Sequence, residues 1–199
     1  MKIKTIFFDL GGVILTNAWD QAERARAVER FNLEAAEFEA RHRPLAPQLE
    51  VGAISLDQYL GEAVFYRPRA FSAAEFRAFM ESCSQPLPGS LELLQELSAA
   101  GRLRLATLNN EGSDLNEFRI ARFGLARYFS AFCSSCYLGA RKPEAECYRR
   151  ALGILQAAPE QCLFVDDREE NLLPARALGM EALRFTSAAA LRAAILAAG

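Results

Sequence analysis

Thr5-Ile6-Phe7-Phe8-Asp9-Leu10-Gly11-Gly12-Val13 is the stretch on which the reading of this chain turns. A short β-rich apolar run ends in an aspartate, and two glycines follow within three residues. Such a run reads as a buried strand with a carboxylate at its C-terminal end. Downstream, four more short strands are expected: 102–107, 129–134, 161–165 and 181–185. Between them lie helical patterns. Ser90 to Ala100 turns Leu91, Leu93, Leu94 and Leu97 inward and stops at Gly101. Others run from about Asp114 to Phe123, from Pro143 to about Gly153, and up to Gly179, and Ser187 can cap an Ala-rich helix at the end. Strands alternating with helices predict an α/β fold: a Rossmann-like, open, mostly parallel five-stranded sheet with helices on both faces.

Residues 17–86 break this alternation, with no strand pattern among them. Trp19, Ala22, Ala25, Val28 and Phe31 recur at helical spacing, and Ser55-x-x-Gln58 and Ser72-x-x-Glu75 are capping-box patterns. Pro86-Leu87-Pro88-Gly89 marks the return. The expected organisation is a catalytic core of residues 1–16 and 87–199, with a small all-helical cap, residues 17–86, inserted after the first strand.

The chain has 199 residues, 51% of them hydrophobic, and a formal net charge of −2. That length fits one domain with an insertion, and the mixed composition excludes disorder. A near-neutral chain offers no electrostatic footprint for nucleic acid. No apolar run approaches the length of a membrane span. Met1 to Thr5 leads straight into the first strand with no signal-peptide layout, and the five cysteines are an odd number. Reduced thiols in a cytoplasmic protein are therefore expected, as monomer or homodimer, with Cys133-Ser-Ser-Cys136 a lone pair lacking further ligands.

In an open α/β sheet, ligands bind beyond the C-terminal strand ends. Asp9 follows the first strand, Thr107 ends the second, Lys142 precedes a proline, and Asp166-Asp167 end the fourth. Only three of the 23 basic residues are lysines, and Lys142 is the one remote from the N-terminus. Three carboxylates in one crevice repel. One lysine and one divalent cation balance them to zero charge, and an all-oxygen donor set with few ligands points to Mg²⁺ with substrate phosphate.

The chain resembles the haloacid dehalogenase-like (HAD) hydrolase superfamily along its whole length. Phe7-Phe8-Asp9-Leu10-Gly11-Gly12-Val13, Leu105-Ala106-Thr107, Arg141-Lys142-Pro143 and Phe164-Val165-Asp166-Asp167-Arg168-Glu169-Glu170-Asn171 look like its four motifs, in order. It is similar to the branch of sugar-phosphate phosphatases and the phosphatase domain of epoxide hydrolases. The resemblance implies a Mg²⁺-dependent phosphatase acting on a small phosphate ester. Asp9 would be the nucleophile, forming an aspartyl-phosphate that water hydrolyses. Mg²⁺ would lie between Asp9, the backbone carbonyl of Gly11 and Asp167, with Asp166 a ligand or its support. Leu10, Gly11, Thr107, Leu108 and Asn109 would contact the phosphate, Lys142 would neutralise charge, and Asn171 would support the site.

Two departures matter. Most such phosphatases carry a second aspartate two residues after the nucleophile, which protonates the leaving group; here Gly11 stands there. General acid catalysis is worth roughly 10²–10⁴ in rate. Good leaving groups, such as anomeric sugar or aryl phosphates, are then expected as substrates, or else a cap residue donates. His42, the only histidine, is one candidate, against the plainer reading of a solvated charge cluster with Arg41 and Arg43. The second departure is Leu108 where an asparagine is common, with Asn109 or Asn110 able to replace it. Two rivals remain: a metal-independent 2-haloacid dehalogenase, and a catalytically weak binding module.

Overall fold

A computed structural model describes residues 3–198. Five strands, β1 (Thr5–Phe8), β2 (Arg104–Asn109), β3 (Ala131–Ser134), β4 (Cys162–Asp166) and β5 (Glu181–Arg184), form one parallel sheet in the order β3-β2-β1-β4-β5. β1 is central, and all four of its residues are buried. Successive side chains of a strand point to opposite faces. Ile6 and Phe8 therefore join one core with Leu93, Leu94, Val165 and Leu191, while Phe7 joins another with Ala106, Tyr148, Phe164 and Leu172. Burying each large side chain contributes about 1.5–3 kcal/mol, which is why this short run holds the centre.

Helices α5 (Ser90–Ala100) and α10 (Ala188–Ala198) supply the first core. The second comes from α7 (Ser135–Leu138), α8 (Ala145–Leu155) and α9 (Glu169–Ala177). α6 (Ser113–Arg122) follows β2. The expected doubly covered α/β sheet is what forms, with shifted boundaries. β2 starts and ends two residues later than expected, so Thr107 lies inside the strand rather than at its end. The helix expected from Pro143 begins at Ala145.

Residues between β1 and α5 hold four helices, α1 (Gln21–Arg30), α2 (Ala35–Glu50), α3 (Leu56–Ala63) and α4 (Ala73–Ser82). Both capping boxes form, each box linking the serine to the residue three further on in both directions. The buried face of α1 differs from the expected one: Ala22 and Ala25 are exposed and Ala27 is buried. Alanine discriminates weakly between faces, and Arg24 reaches inward to pair with Glu39 at 2.7 Å. These four helices share a cluster including Phe38, Tyr59, Leu60, Phe76 and Met80, which Leu115 of α6 joins. The two chain segments that enter and leave this region lie side by side. Leu15 bridges Pro86, the Thr16 N–H donates to the Gln85 carbonyl at 2.8 Å, and the Leu87 N–H donates to the Ile14 carbonyl at 2.9 Å. Among the described residues no helix is long and apolar enough to cross a membrane.

Candidate active site

Parallel strands end together, so the sheet gathers at its C-terminal edge residues that are remote in sequence. The Asp9 N–H still donates to the Val165 carbonyl at 2.9 Å, which carries the nucleophile candidate one step past β1 in strand register. Its Oδ1 accepts from the Leu10 N–H at 2.8 Å. Lys142 Nζ stands 3.0 Å from Asp9 Oδ2 and 2.6 Å from Asp166 Oδ2, in a side chain only 2% exposed. One oxygen from each of Asp9, Asp166 and Asp167 lies within 4.8 Å of the others. Asn110 fixes the lysine from behind: its amide donates to the Lys142 carbonyl and accepts from the Lys142 N–H, both at 2.9 Å.

The three carboxylates are not equivalent. Asp166 is fully buried and accepts from Lys142, from the Arg168 N–H at 2.9 Å and from Asn171 Nδ2 at 3.1 Å on both oxygens. Asp167 has an Oδ1 that is buried with no partner among the described residues, and so has the Thr107 hydroxyl. An unmatched buried polar atom costs about 1–3 kcal/mol, so such groups await a ligand or a purpose. Gly12, at φ +73°, packs against the Asp167 carboxylate, where a Cβ would collide with it. Burial pushes the Asp9 carboxyl up to about 7, with Lys142 opposing and Asp166 reinforcing. Burial also raises Asp167, aided by Asp166. On Lys142 burial works against the charge, but Asp9 and Asp166 outweigh it and hold the ammonium above its ordinary range. A divalent cation suits this donor set. The ligands are hard oxygens, one is unspent, and the surplus negative charge needs a partner.

Asp9, Gly11, Lys142 and Asn171 line a cavity of about 460 Å³ between the sheet edge and the helices α1 and α2. Leu10 and Leu108 bury their side chains in opposite cores, leaving only backbone groups for any ligand. Asn109 corrects an expectation. Its amide bonds Asn116 at 3.2 Å and Ser134 at 2.9 Å, so its side chain is committed to a buried polar network, and Asn110 lines the cavity instead. Cavity residues that the sequence reading missed include Asn17, Arg24, Glu50, Glu111 and Arg119. Trp19 was read only as part of a helix face. Burial pushes the Cys133 and Cys136 thiols up to about 11 and about 12, as in ordinary buried cysteines.

His42 is buried rather than solvated. It is 9% exposed on the cavity wall, and its Nδ1 is 2.8 Å from the Tyr59 hydroxyl. Trp19 Nε1 donates to that hydroxyl at 2.9 Å, so the phenol proton is free to point at His42, fixing the imidazole hydrogen on Nε2. Burial, with Arg24 adding to it, lowers the His42 pKa to about 4. A pKa lowered this far weighs against His42 as the proton donor at neutral pH. The chain has one histidine, so its single imidazole resonance can be followed without assignment. It is expected to show no titration from pH 8 to pH 5.5. A midpoint near 6.5 would contradict the burial described here.

A parallel α/β sheet bearing three carboxylates and a lysine at its C-terminal edge is the layout of a hydrolase class with an acidic catalytic edge. A family model described as haloacid dehalogenase-like hydrolase matches residues 3–179, and the chain belongs to that family. It is 32% identical over 151 residues to Flavin mononucleotide hydrolase 1 of Arabidopsis thaliana, covering 76% of this chain and 60% of that protein's length. A sesquiterpene phosphatase of Aspergillus oryzae is 28% identical over 195 residues, covering 94% of this chain and 92% of its own. A HAD family enzyme of Bacteroides thetaiotaomicron, solved with magnesium and inorganic phosphate, superposes with a TM-score of 0.80 at 21% identity, covering 92% and 94% of the two chains. At that identity the likeness shows the fold.

Proposed function

We propose that the protein is a Mg²⁺-dependent phosphatase that hydrolyses a small phosphorylated metabolite through an aspartyl-phosphate on Asp9. The observation that carries this reading is Lys142, wedged between Asp9 and Asp166, with an oxygen of Asp167 left unspent beside them. The names of the two relatives, and the magnesium and phosphate bound by the structural neighbour, support the same chemistry.

Asp9 attacks phosphorus through a carboxylate oxygen, with Lys142 offsetting the charge that gathers between nucleophile and phosphoryl group. Asp166, braced by Asn171, holds the ammonium in place. The Thr107 hydroxyl, and the N–H groups of Gly11 and Leu108, are the donors for phosphoryl oxygens, while the Leu10 N–H holds the Asp9 carboxylate. Mg²⁺ held by Asp9, Asp167 and the Gly11 carbonyl would supply further charge neutralisation at the phosphoryl group. Positioning and charge are most of what phosphoryl transfer requires. Helices α1 to α4 serve as the cap that shields the edge from bulk water. The wall is polar, with Arg24 paired to Glu39, Arg141 to Glu50 and Asn110 to Lys142, which suits a polar ester such as a sugar phosphate.

Turnover of p-nitrophenyl phosphate in Mg²⁺, stopped by EDTA and restored by excess Mg²⁺, is the expected result. Turnover indifferent to EDTA would overturn the metal requirement. No turnover of this ester or of a panel of phosphorylated metabolites would leave the binding-module reading.

A further inference from the structure

Position 11 holds a glycine for a reason the backbone does not supply. Gly11 is not among the glycines with positive φ. A Cβ built on it would instead stand 2.6 Å from Asn17 Oδ1, and the next nearest atoms, both at 3.7 Å, also belong to Asn17. The Asn17 side chain occupies the space where a side chain of residue 11 would begin. It also lines the cavity beside Asp9, and it makes no hydrogen bond to another described residue.

The chain on either side of Asn17 is anchored. Thr16 is pinned by its hydroxyl to the Cys83 carbonyl at 2.7 Å, and its carbonyl accepts from Arg119 Nη2 at 2.7 Å. Two residues further on, Trp19 is tied to Tyr59. Of the other carboxyls on the cavity wall, Asp20 accepts from the Ala22 N–H at 2.9 Å and Glu111 from Arg119 at 2.7 Å, while Glu50 Oε2 stands 2.8 Å from Arg141 Nε as an ion pair without a hydrogen bond. A neutral amide with no hydrogen-bond partner among the described residues thus lines the same cavity as Asp9, its oxygen turned toward position 11 and its N–H groups unspent.

Resting on the phosphatase reading, we propose that Asn17 donates an amide hydrogen bond to the bridging oxygen of the ester, and that the substrates are phosphate esters of acidic hydroxyls: aryl, enol or anomeric. Asp9 forms a bond to phosphorus while the bond from phosphorus to the bridging oxygen breaks, leaving its electron pair on that oxygen. An amide does not give up its proton at neutral pH. The leaving group therefore departs as an oxyanion held by the Asn17 N–H and takes a proton from water. A second water then attacks phosphorus as the bond from phosphorus to Asp9 breaks, releasing phosphate and regenerating the Asp9 carboxylate, and the proton it sheds neutralises the hydroxide left by the first water.

The test has two readouts. In the first, kcat/KM is measured in Mg²⁺ for p-nitrophenyl, phenyl and alkyl phosphates with wild type and Asn17→Ala. The wild-type rate is expected to fall steeply from the first ester to the last. Asn17→Ala should lose about 10-fold on phenyl phosphate but no more than about 3-fold on the nitrophenyl ester, as loss of one hydrogen bond to a developing charge predicts. An equal loss on both esters is what a merely structural role gives, and it would overturn the proposal, as would no loss. The second readout is thermal unfolding in EDTA. Gly11→Ala should lower the melting temperature, and the drop should shrink when Asn17 is also replaced by glycine. The same drop in both backgrounds would show that Asn17 does not fill that space. If the unfolding cycle behaves as expected but wild type turns over none of the esters, the phosphatase reading fails and the catalytic role falls with it, while the packing of Asn17 against Gly11 stands.

Discussion

Asp9→Asn is expected to lower kcat for phosphate-ester hydrolysis by at least about 10⁴-fold, because loss of a covalent nucleophile removes the pathway rather than slowing one step. The variant should fold. Asparagine keeps the shape, and its carbonyl can still accept from the Leu10 N–H as Oδ1 does now. The charge it removes is one the metal-free protein tolerates badly, since burial pushes that carboxyl up to about 7. A folded-state pKa above the unfolded one means that stability is lost as pH rises from the unfolded pKa through the folded one, with the full cost of the ionised group reached above the folded value. In EDTA at pH 8, Asp9→Asn should therefore melt no lower than wild type, while below about pH 4 that advantage disappears. Calorimetry at the two pH values, beside single-turnover kinetics, checks both halves. An Asp9→Asn enzyme within 10-fold of wild type would remove Asp9 from the nucleophile role.

Lys142→Met should be the most damaging single change to the fold. Asp9 and Asp166 would lose the cation between them while Asp166 stayed fully buried. Breaking a buried ion pair from one side typically costs about 3–5 kcal/mol. For a chain of this length, each kcal/mol lowers the melting temperature by about 2–4 °C. The expected loss is thus roughly 6–20 °C, together with activity. The sign with pH is fixed. Removing the lysine takes away what opposes the rise in the Asp9 pKa, so folding favours the protonated carboxyl still more, and part of the lost stability should return as pH falls. Adding Asp166→Asn should restore stability without activity. A Lys142→Met protein as stable as wild type at pH 8 would mean that the two aspartates do not depend on this ammonium.

The strand ends were legible because burial and chemistry speak the same language there. An apolar β-rich run that stops at an aspartate can be read without knowing its neighbours, which is why Asp9, Asp166 and Asp167 meet as the sequence implies. Lys142 stood out by scarcity. What escaped depends on partners from other elements. Asn109 looked like an end-of-strand polar residue, yet Asn116 and Ser134 absorb it into the interior and let β2 run on past Thr107. His42 sits between two arginines, a pattern of a wet surface, but Tyr59, seventeen positions away, draws it inward. Periodicity misjudged α1 because its inward face includes an arginine. Asn17 gave no sign at all, since its meaning lies in a side chain that residue 11 lacks.

The bridge between Leu15 and Pro86 has a consequence for how such a protein can change. Both crossings between the two regions happen at one doorway, where the backbones already bond to each other. Replacing everything between them with a foreign segment whose ends lie equally close would leave the registry of the parallel strands undisturbed. Exchange of that segment in one recombination event would thus leave the sheet and its acidic edge as they are.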